Sequence, residues 1–445
     1  MRKKHATIDI AILGCGTVGG AAALALVKDR ELLENKTGLS LNLKYIVDKN
    51  FDNAIKLGLS KKLFEPKLQT VLADPSVSIV VELIGGTTVA KDFIEKALMA
   101  KKNVVTANKA LLAHSGAALL SLARKNHVTL AFEASCGGGI PIVRALVDGV
   151  VANRIDAIYG IVNGTCNYIL TQMIGTGRSY QDALADAQKA GLAEANPSLD
   201  VSGTDSAHKL AILSSLAFGE KINFDSVPVT GIDSLQSMDV GFGGELGYVV
   251  KLIAMAIRLD GGLYLRVHPV FISREHPLAW VSGPFNAISL YGHRTGHTMY
   301  YGRGAGGPPT ASAIVSDIVS TALGTQKLLF RHLGIWTDRT KKAKQIPYSE
   351  IVSRFYLRFM VNDAPGVLAK ITAALGKNGI SIASVLQKEI PEGAGRQRGK
   401  VPVVITTHMA KEKNVRKALT ALRAAKLALE NPVCLHIVDE REESF

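Results

Sequence analysis

Thr7-Ile8-Asp9-Ile10-Ala11-Ile12-Leu13, followed at once by Gly14-Cys15-Gly16-Thr17-Val18-Gly19, reads as a buried strand running into a G-x-G-x-x-G turn, and a small-residue helix follows through residues 21–28. In such a unit the first glycine permits the tight turn, the second lets backbone approach a pyrophosphate, and the third packs helix on strand. The helix N–H groups then face the phosphates. This predicts an α/β fold, a doubly wound sheet with Gly14, Gly16, Thr17, Val18 and Gly19 around a dinucleotide. A second strand over residues 42–47 delivers Asp48 where a carboxylate accepts ribose hydroxyls. Lys49 comes next, and a basic residue favours a 2′-phosphate, so NAD and NADP both stay open.

Outward from this unit, a third strand over residues 78–84 ends in Gly85-Gly86-Thr87-Thr88, and a helix follows to about residue 102. A fourth strand over 103–107 leads into Asn108-Lys109-Ala110. Lys109 thus sits beyond the carboxyl end of a parallel strand, where such sheets place their ligands. Helix starts disfavour cations, so a lysine there points to function rather than to a solvated surface. A fifth strand over 128–132 ends in Glu133-Ala134-Ser135-Cys136-Gly137-Gly138-Gly139-Ile140-Pro141. Three consecutive glycines beside a carboxylate expose carbonyls that suit a hard monovalent cation, although an unoccupied hinge has the same composition.

From Arg154 the pattern turns to strand-like alternation, ending in Asn163-Gly164-Thr165-Cys166-Asn167-Tyr168. Further on, the stretch from Gly191 to Leu213 reads GLAEANPSLDVSGTDSAHKLAIL and gathers Glu194, Asp200, Asp205 and Lys209. Helical spacing sets Asp205 and Lys209 at i and i+4 on one face. Carboxylates here can take the ammonium of an amino acid, and a lysine among apolar residues can exchange its proton with a substrate oxygen. The plainer alternative is a helix cap followed by a surface salt bridge. Residues 141–299, with β-rich runs such as 263–271, read as an α+β substrate domain. A second glycine-rich loop, Gly302-Arg303-Gly304-Ala305-Gly306-Gly307, opens another helix and returns the chain to the nucleotide domain. That domain therefore comprises residues 1–140 with 300–336. The polar residues 337–350 read as a linker, and residues 351–440 follow a βαββαβ order with Asp363-Ala364-Pro365-Gly366-Val367-Leu368 at the first turn.

The string A-E-x-x-P-x-x-D-x-x-G-x-D-x-x-x-K-L, filled by Ala193, Glu194, Pro197, Asp200, Gly203, Asp205, Lys209 and Leu210, resembles the signature of homoserine dehydrogenases. The runs at residues 82–86, 104–113, 133–141, 160–170 and 302–313 are similar to further motifs of that family, and residues 351–440 resemble the ACT domain, which binds amino acids. The resemblance implies a Rossmann-type sheet, a substrate and dimerisation domain and a C-terminal ACT domain. It also implies NAD(P)-dependent interconversion of L-homoserine and L-aspartate 4-semialdehyde in threonine and methionine biosynthesis. By resemblance Lys209 and Lys109 converge on the reacting oxygen, with Lys209 as proton donor. Glu194 and Asp205 anchor the substrate ammonium, with Asp200 nearby, and Asn163, Gly164 and Thr165 lie against the substrate. Gly85, Thr87, Lys109 and Gly304 touch the cofactor. Glu133, Cys136, Gly138 and Ile140 hold sodium or potassium, Cys136 standing where the family usually has valine. The substrate-domain sheet pairs with that of a second subunit, giving a homodimer or a dimer of dimers. Asp363 and Gly366 form the effector site, with threonine as the expected effector. Two other readings are a dehydrogenase for a different amino acid and a nucleotide- and amino-acid-binding sensor without catalysis.

Composition bounds the rest. At 445 residues the chain needs two to four domains, and 47% hydrophobic with 20% charged residues is ordinary for a globular protein. The net charge of +14 is scattered, concentrated only at residues 341–344 and 396–400, and lacks interleaved aromatics. It reads as a field that draws in anionic cofactor and substrate, with neither nucleic acid nor membrane expected as a partner. Four widely spaced cysteines fit a reducing compartment, so a cytoplasmic location is expected. Met1-Arg2-Lys3-Lys4 before an apolar run ending at Cys15 has the outline of a lipoprotein signal, but Asp9 interrupts it and the glycines fit the dinucleotide turn in full.

Overall fold

A computed structural model describes residues 7–332, 336, 340–388 and 400–441. Met1 to Lys4, most of the basic group at 396–400 and part of the expected linker lie outside the described residues. β1 (Thr7–Leu13), β2 (Ser40–Val47), β3 (Val77–Glu82), β4 (Asn103–Thr106) and β5 (Leu130–Ala131) form a parallel sheet in the order β2-β1-β3-β4-β5. Ile10, Ala11, Ile12 and Leu13 are all buried, as a strand covered on both faces by helices requires. The strand order reverses between β1 and β3, the crevice where open α/β sheets bind ligands. β5 is shorter than the expected 128–132. Beyond Ala131 the Glu133 N–H donates to the Asp317 carboxylate at 2.8 Å and the Ser135 hydroxyl to the Phe132 carbonyl at 2.6 Å, which draws the backbone out of the ladder.

The second sheet begins with β6 (Ile155–Ile161), β7 (Tyr248–Leu259), β8 (Gly262–Ser273), β9 (Phe285–Gly292) and β10 (Gly296–Arg303), all in antiparallel pairings with one another. The helix Thr204–Phe218 is buried along nearly its whole length between this sheet and the nucleotide domain. After β10 the chain does return. A Cβ on Gly307 would lie 3.2 Å from the Thr17 carbonyl oxygen and 3.3 Å from Ala21 Cβ, so the helix Gly307–Ala322 packs closely on the helix Thr17–Lys28.

Residues 340–347 are less free than a linker reading suggests. Lys221 donates to the Lys341 carbonyl at 2.7 Å, Leu263 to Lys344 at 2.9 Å, and Ile346 to Leu263 at 2.8 Å, so the strap satisfies backbone groups at the start of β8.

The C-terminal unit follows as β11 (Val352–Asn362), a helix Val367–Lys377, β12 (Ile382–Gln387), β13 (Lys400–Thr407), a short β14 (Ala410–Lys411), a helix Glu412–Ala424 and β15 (Val433–Val438). Apart from the short β14 this is the βαββαβ order. Its strands continue the second sheet, because β15 pairs in parallel with β8 through His436 and Val270, Ile437 and Phe271, and Val438 and Ile272. No pattern in the sequence selects that edge as its partner. No helix among the described residues is long and apolar enough to cross a membrane.

Candidate active site

At the sheet reversal the Gly14 N–H donates to the Val47 carbonyl and Leu83 to Leu13, each at 2.8 Å, joining three strand ends. Gly14 has φ +92°, and a Cβ on Gly19 would overlap the Gly14 carbonyl oxygen, whereas nothing lies within 4 Å of a Cβ on Gly16. The turn is thus tight at its first glycine, open at its second and close-packed at its third. Helix Thr17–Lys28 starts at Gly16 with no side-chain cap and no acid in its first turn, leaving its N–H groups for an anion. Asp48 stands at the end of β2 as expected. Its carboxylate also accepts from the Cys15 N–H at 2.6 Å and from Lys49 and Asn50 at 2.7 and 3.2 Å, so it fastens the glycine turn, while Lys49 is exposed.

The opposite wall is Gly85-Gly86-Thr87, exposed at the end of β3. It is held by Glu82, which is fully buried and accepts from Ile84 and Gly85 N–H at 2.8 and 3.0 Å and from the Thr106 hydroxyl at 2.7 Å. Asn108 bonds the Gly86 carbonyl at 2.7 Å and caps the next helix through Leu111, which makes Lys109 the first residue of helix Lys109–Lys125. In the sequence Glu82 shows only as a charge inside an apolar strand.

Lys109 and Lys209, from different domains, meet at one carboxylate. Lys109 Nζ is 3.0 Å from Asp205 Oδ1, and Lys209 Nζ is 2.8 Å from Oδ2. Lys209 also donates to the Val162 carbonyl at 2.6 Å, and Asn163 Nδ2 donates to Asp205 Oδ2 at 2.9 Å and to Asp200 Oδ1 at 2.8 Å. The Lys209 side chain is 9% exposed and that of Lys109 is 40%, so the first is enclosed and the second is partly open to solvent. Burial opposes ionisation of Asp205, yet the Lys209 and Lys109 ammoniums outweigh it and hold the carboxyl well below its ordinary range. In return the Asp205 charge raises the Lys109 ammonium above its ordinary value despite its partial burial. Burial raises the Asp200 carboxyl, with Asn163 opposing.

Three expected residues stand differently. Glu194 is exposed on its loop and takes no part in this hydrogen-bonded cluster. The Thr165 hydroxyl donates to the Leu192 carbonyl at 2.7 Å, and Gly164 is needed because a Cβ would come 2.7 Å from the Pro284 carbonyl oxygen. His208, which carried no expectation, lies within the site's wall. It stacks on Phe224 with centroids 4.5 Å apart, and burial pushes its imidazole down to about 4, so it stays neutral.

The two glycine-rich loops touch. A Cβ on Gly138 would lie 2.6 Å from the Gly304 carbonyl carbon, one on Gly304 would overlap the Asn286 amide, and Gly139 donates to the Arg303 carbonyl at 3.0 Å. Glu133 accepts from Val143 and Arg144 N–H at 2.9 and 2.8 Å, and burial raises its carboxyl to about 7. Burial pushes the Cys136 thiol up to about 12, so it stays a thiol. The Ile140 carbonyl accepts from Ile142 at 2.8 Å, while those of Cys136 and Gly138 accept no hydrogen bond among the described residues. In the C-terminal unit Asp363 and Gly366 are exposed, with Gly366 at φ +86° opening the helix Val367–Lys377.

Family models match the chain throughout: a homoserine dehydrogenase NAD-binding domain at residues 14–133, homoserine dehydrogenase at 141–319 and an ACT domain at 355–426. A homoserine dehydrogenase of Neisseria gonorrhoeae is 38% identical over 96% of this chain and 98% of its own length. The chain belongs to the homoserine dehydrogenase family. The homoserine dehydrogenase of Pseudomonas aeruginosa is 39% identical over 94% of this chain and 95% of its own. A solved homoserine dehydrogenase from Thiobacillus denitrificans superposes with a TM-score of 0.91 at 36% identity, covering 98% of this chain and 99% of that one. A hyperthermophilic archaeal homoserine dehydrogenase in complex with NADPH has a TM-score of 0.61 at 27% identity, covering 72% of this chain and 98% of that one. As a homoserine dehydrogenase the chain is an NAD(P)-dependent oxidoreductase that interconverts L-homoserine and L-aspartate 4-semialdehyde, and its ACT domain supports a regulatory role.

Proposed function

We propose that the Lys109–Asp205–Lys209 cluster carries the proton transfer of this reaction. The convergence of two lysines from different domains on one buried carboxylate is the observation that supports it. The nicotinamide cofactor supplies and takes the hydride. In the aldehyde-reducing direction Lys209 gives its proton to the C4 oxygen. Lys109, whose ammonium Asp205 makes harder to discharge, stabilises the developing alkoxide by its charge. Asp205 holds both ammoniums in place, which leaves the exposed Glu194, with Asp200, to take the substrate ammonium. Asn163, Gly164 and Thr165 shape the wall beside it. Oxidation of NADH and NADPH by L-aspartate 4-semialdehyde, followed at 340 nm, tests the function; no turnover with either cofactor would overturn it.

The cofactor fits the glycine turn, with Gly14, Gly16, Thr17, Val18 and Gly19 under its phosphates and Gly85, Thr87, Lys109 and Gly304 along its length. Both cofactors are used, with NAD preferred through Asp48. Asp48→Ala raises KM for NAD about 10-fold, the scale of a charged hydrogen bond, and raises KM for NADP less. Equal rises would leave Asp48 with only its hold on the glycine turn.

The loop at 133–140 fits a sodium or potassium ion through oxygens of Glu133, Cys136, Gly138 and Ile140, where the Cys136 and Gly138 carbonyls accept no hydrogen bond among the described residues. Bound there, the ion would supply positive charge that steadies this loop against the Gly304 loop. The protein acts in the cytoplasm as a homodimer or dimer of dimers.

Threonine binds at the ACT domain near Asp363 and Gly366, where the carboxylate accepts its ammonium. Threonine titrated into the full-length enzyme inhibits it, and Asp363→Ala raises the half-inhibitory concentration at least about 10-fold, as loss of a charged contact does. Unchanged inhibition in that variant would place the effector elsewhere.

A further inference from the structure

Two buried ion pairs fasten the C-terminal unit to the catalytic body, and both flank one stretch of chain. On β11, Arg358 forks onto Asp239 with Nε at 2.6 Å from Oδ1 and Nη2 at 3.0 Å from Oδ2. The Tyr356 hydroxyl reaches the same carboxylate at 2.9 Å, and Arg358 also holds Gln236 Oε1 at 2.6 Å. Arg358 is 2% exposed and Asp239 1%. On β8, Arg266 pairs with the fully buried Glu412 at 2.9 Å, beside His436 at 2.7 Å. Buried pairs add little net stability over an apolar filling, but a fork fixes orientation.

Residues 228–239 run between these two points. The Val267 N–H donates to the Pro228 carbonyl at 3.0 Å and Thr230 to Val267 at 2.8 Å, which lays the segment along β8 next to Arg266. Asp239 lies in the first turn of the helix Ser237–Glu245 at its other end. In between, the Ile232 N–H donates to the Val201 carbonyl at 2.9 Å. A Cβ on Gly231 would overlap that same carbonyl oxygen, and one on Gly203 would lie 3.0 Å from Val229 Cγ1. The segment therefore lies flush against the turn at residues 201–203, and Asp200 and Asp205 flank that turn.

We propose that Asp239 and Arg358 are positioning residues for the reaction: through residues 228–239 their ion pair fixes where Asp200 and Asp205 stand relative to the two lysines. The inference rests on the proton-transfer reading of the cluster above. Because the pair joins the ACT domain to the catalytic body, docking of that domain is read directly by the active site, with no displaced lid needed. A two-state element biased at both ends is what such coupling requires.

The test uses the full-length enzyme and compares Asp239→Asn, Arg358→Lys and Gly231→Ala with wild type. The last keeps the ion pair and presses on the Val201 carbonyl, so it decides the matter even where a buried charge change prevents folding. All folded variants are expected to lose roughly 10-fold in kcat, with KM for the cofactor unchanged. In the reducing direction the basic limb of the pH–rate profile moves to lower pH, because Asp205, drawn off Lys109, no longer raises its ammonium. Folded variants with wild-type kcat and pH profile would overturn the inference, and so would a loss of activity that tracks thermal stability with the basic limb unmoved. Lys209→Ala, assayed alongside, separates the two claims. Full turnover in that variant sinks the proton-transfer reading, whereas its collapse beside normal Asp239→Asn and Gly231→Ala enzymes sinks only the positioning role.

Discussion

Lys209→Ala lowers kcat by about 10²-fold or more, the scale of losing a positioned acid, while KM for NAD(P) changes little. The lysine lies in the helix Thr204–Phe218, and among the described residues its ammonium bonds only the Val162 carbonyl and Asp205, away from the glycine turn proposed to hold the cofactor. Its removal leaves the Asp205 carboxylate still paired with Lys109. The fold should therefore survive, and single-turnover kinetics will separate the lost chemical step from binding. A variant that keeps most of its turnover would remove Lys209 from the mechanism.

Asp205→Asn acts on both lysines at once. The substitution keeps the shape and deletes the charge, so the enclosed Lys209 ammonium is left with neutral acceptors in place of its anionic partner. Breaking one side of a buried pair costs about 3 kcal/mol or more. The expected result is a marked fall in melting temperature at neutral pH together with a kcat loss of about 10²-fold. The sign of the pH effect follows from the depressed carboxyl. Wild-type Asp205 contributes stability that is present above the ordinary carboxylate pKa and is lost as pH falls through its own lower value, so the stability gap between the two proteins narrows in acid. In the reducing direction the basic limb of the variant's rate profile shifts to lower pH, since Lys109 loses the charge that raised its ammonium. A variant with the wild-type limb would show that Asp205 does not govern Lys109.

Much of this was legible in the residues themselves. The G-x-G-x-x-G turn places a dinucleotide crevice because each glycine meets a distinct steric demand, and all three demands reappear as close or open approaches at Gly14, Gly16 and Gly19. The i, i+4 spacing likewise brought Asp205 and Lys209 into contact at 2.8 Å. What stayed hidden is long-range. Nothing local to Lys109 says that it crosses a domain boundary to the same carboxylate, and the buried Arg358–Asp239 fork joins residues 119 apart in the chain. The extension of the sheet from β8 to β15 was equally invisible, because an edge strand carries no mark of which neighbour will cover it. Asp48 follows directly on its strand, but its bond to the Cys15 N–H depends on turn geometry that spacing does not encode.

The central claim, that Lys109 and Lys209 act as one unit around Asp205, is tested most directly by a double-mutant cycle on kcat with Lys109→Ala, Lys209→Ala and the double variant. Groups that share one step are strongly non-additive, so the double variant is predicted to lose about as much as Lys209→Ala alone. Losses that simply multiply would show two independent lysines and contradict the account.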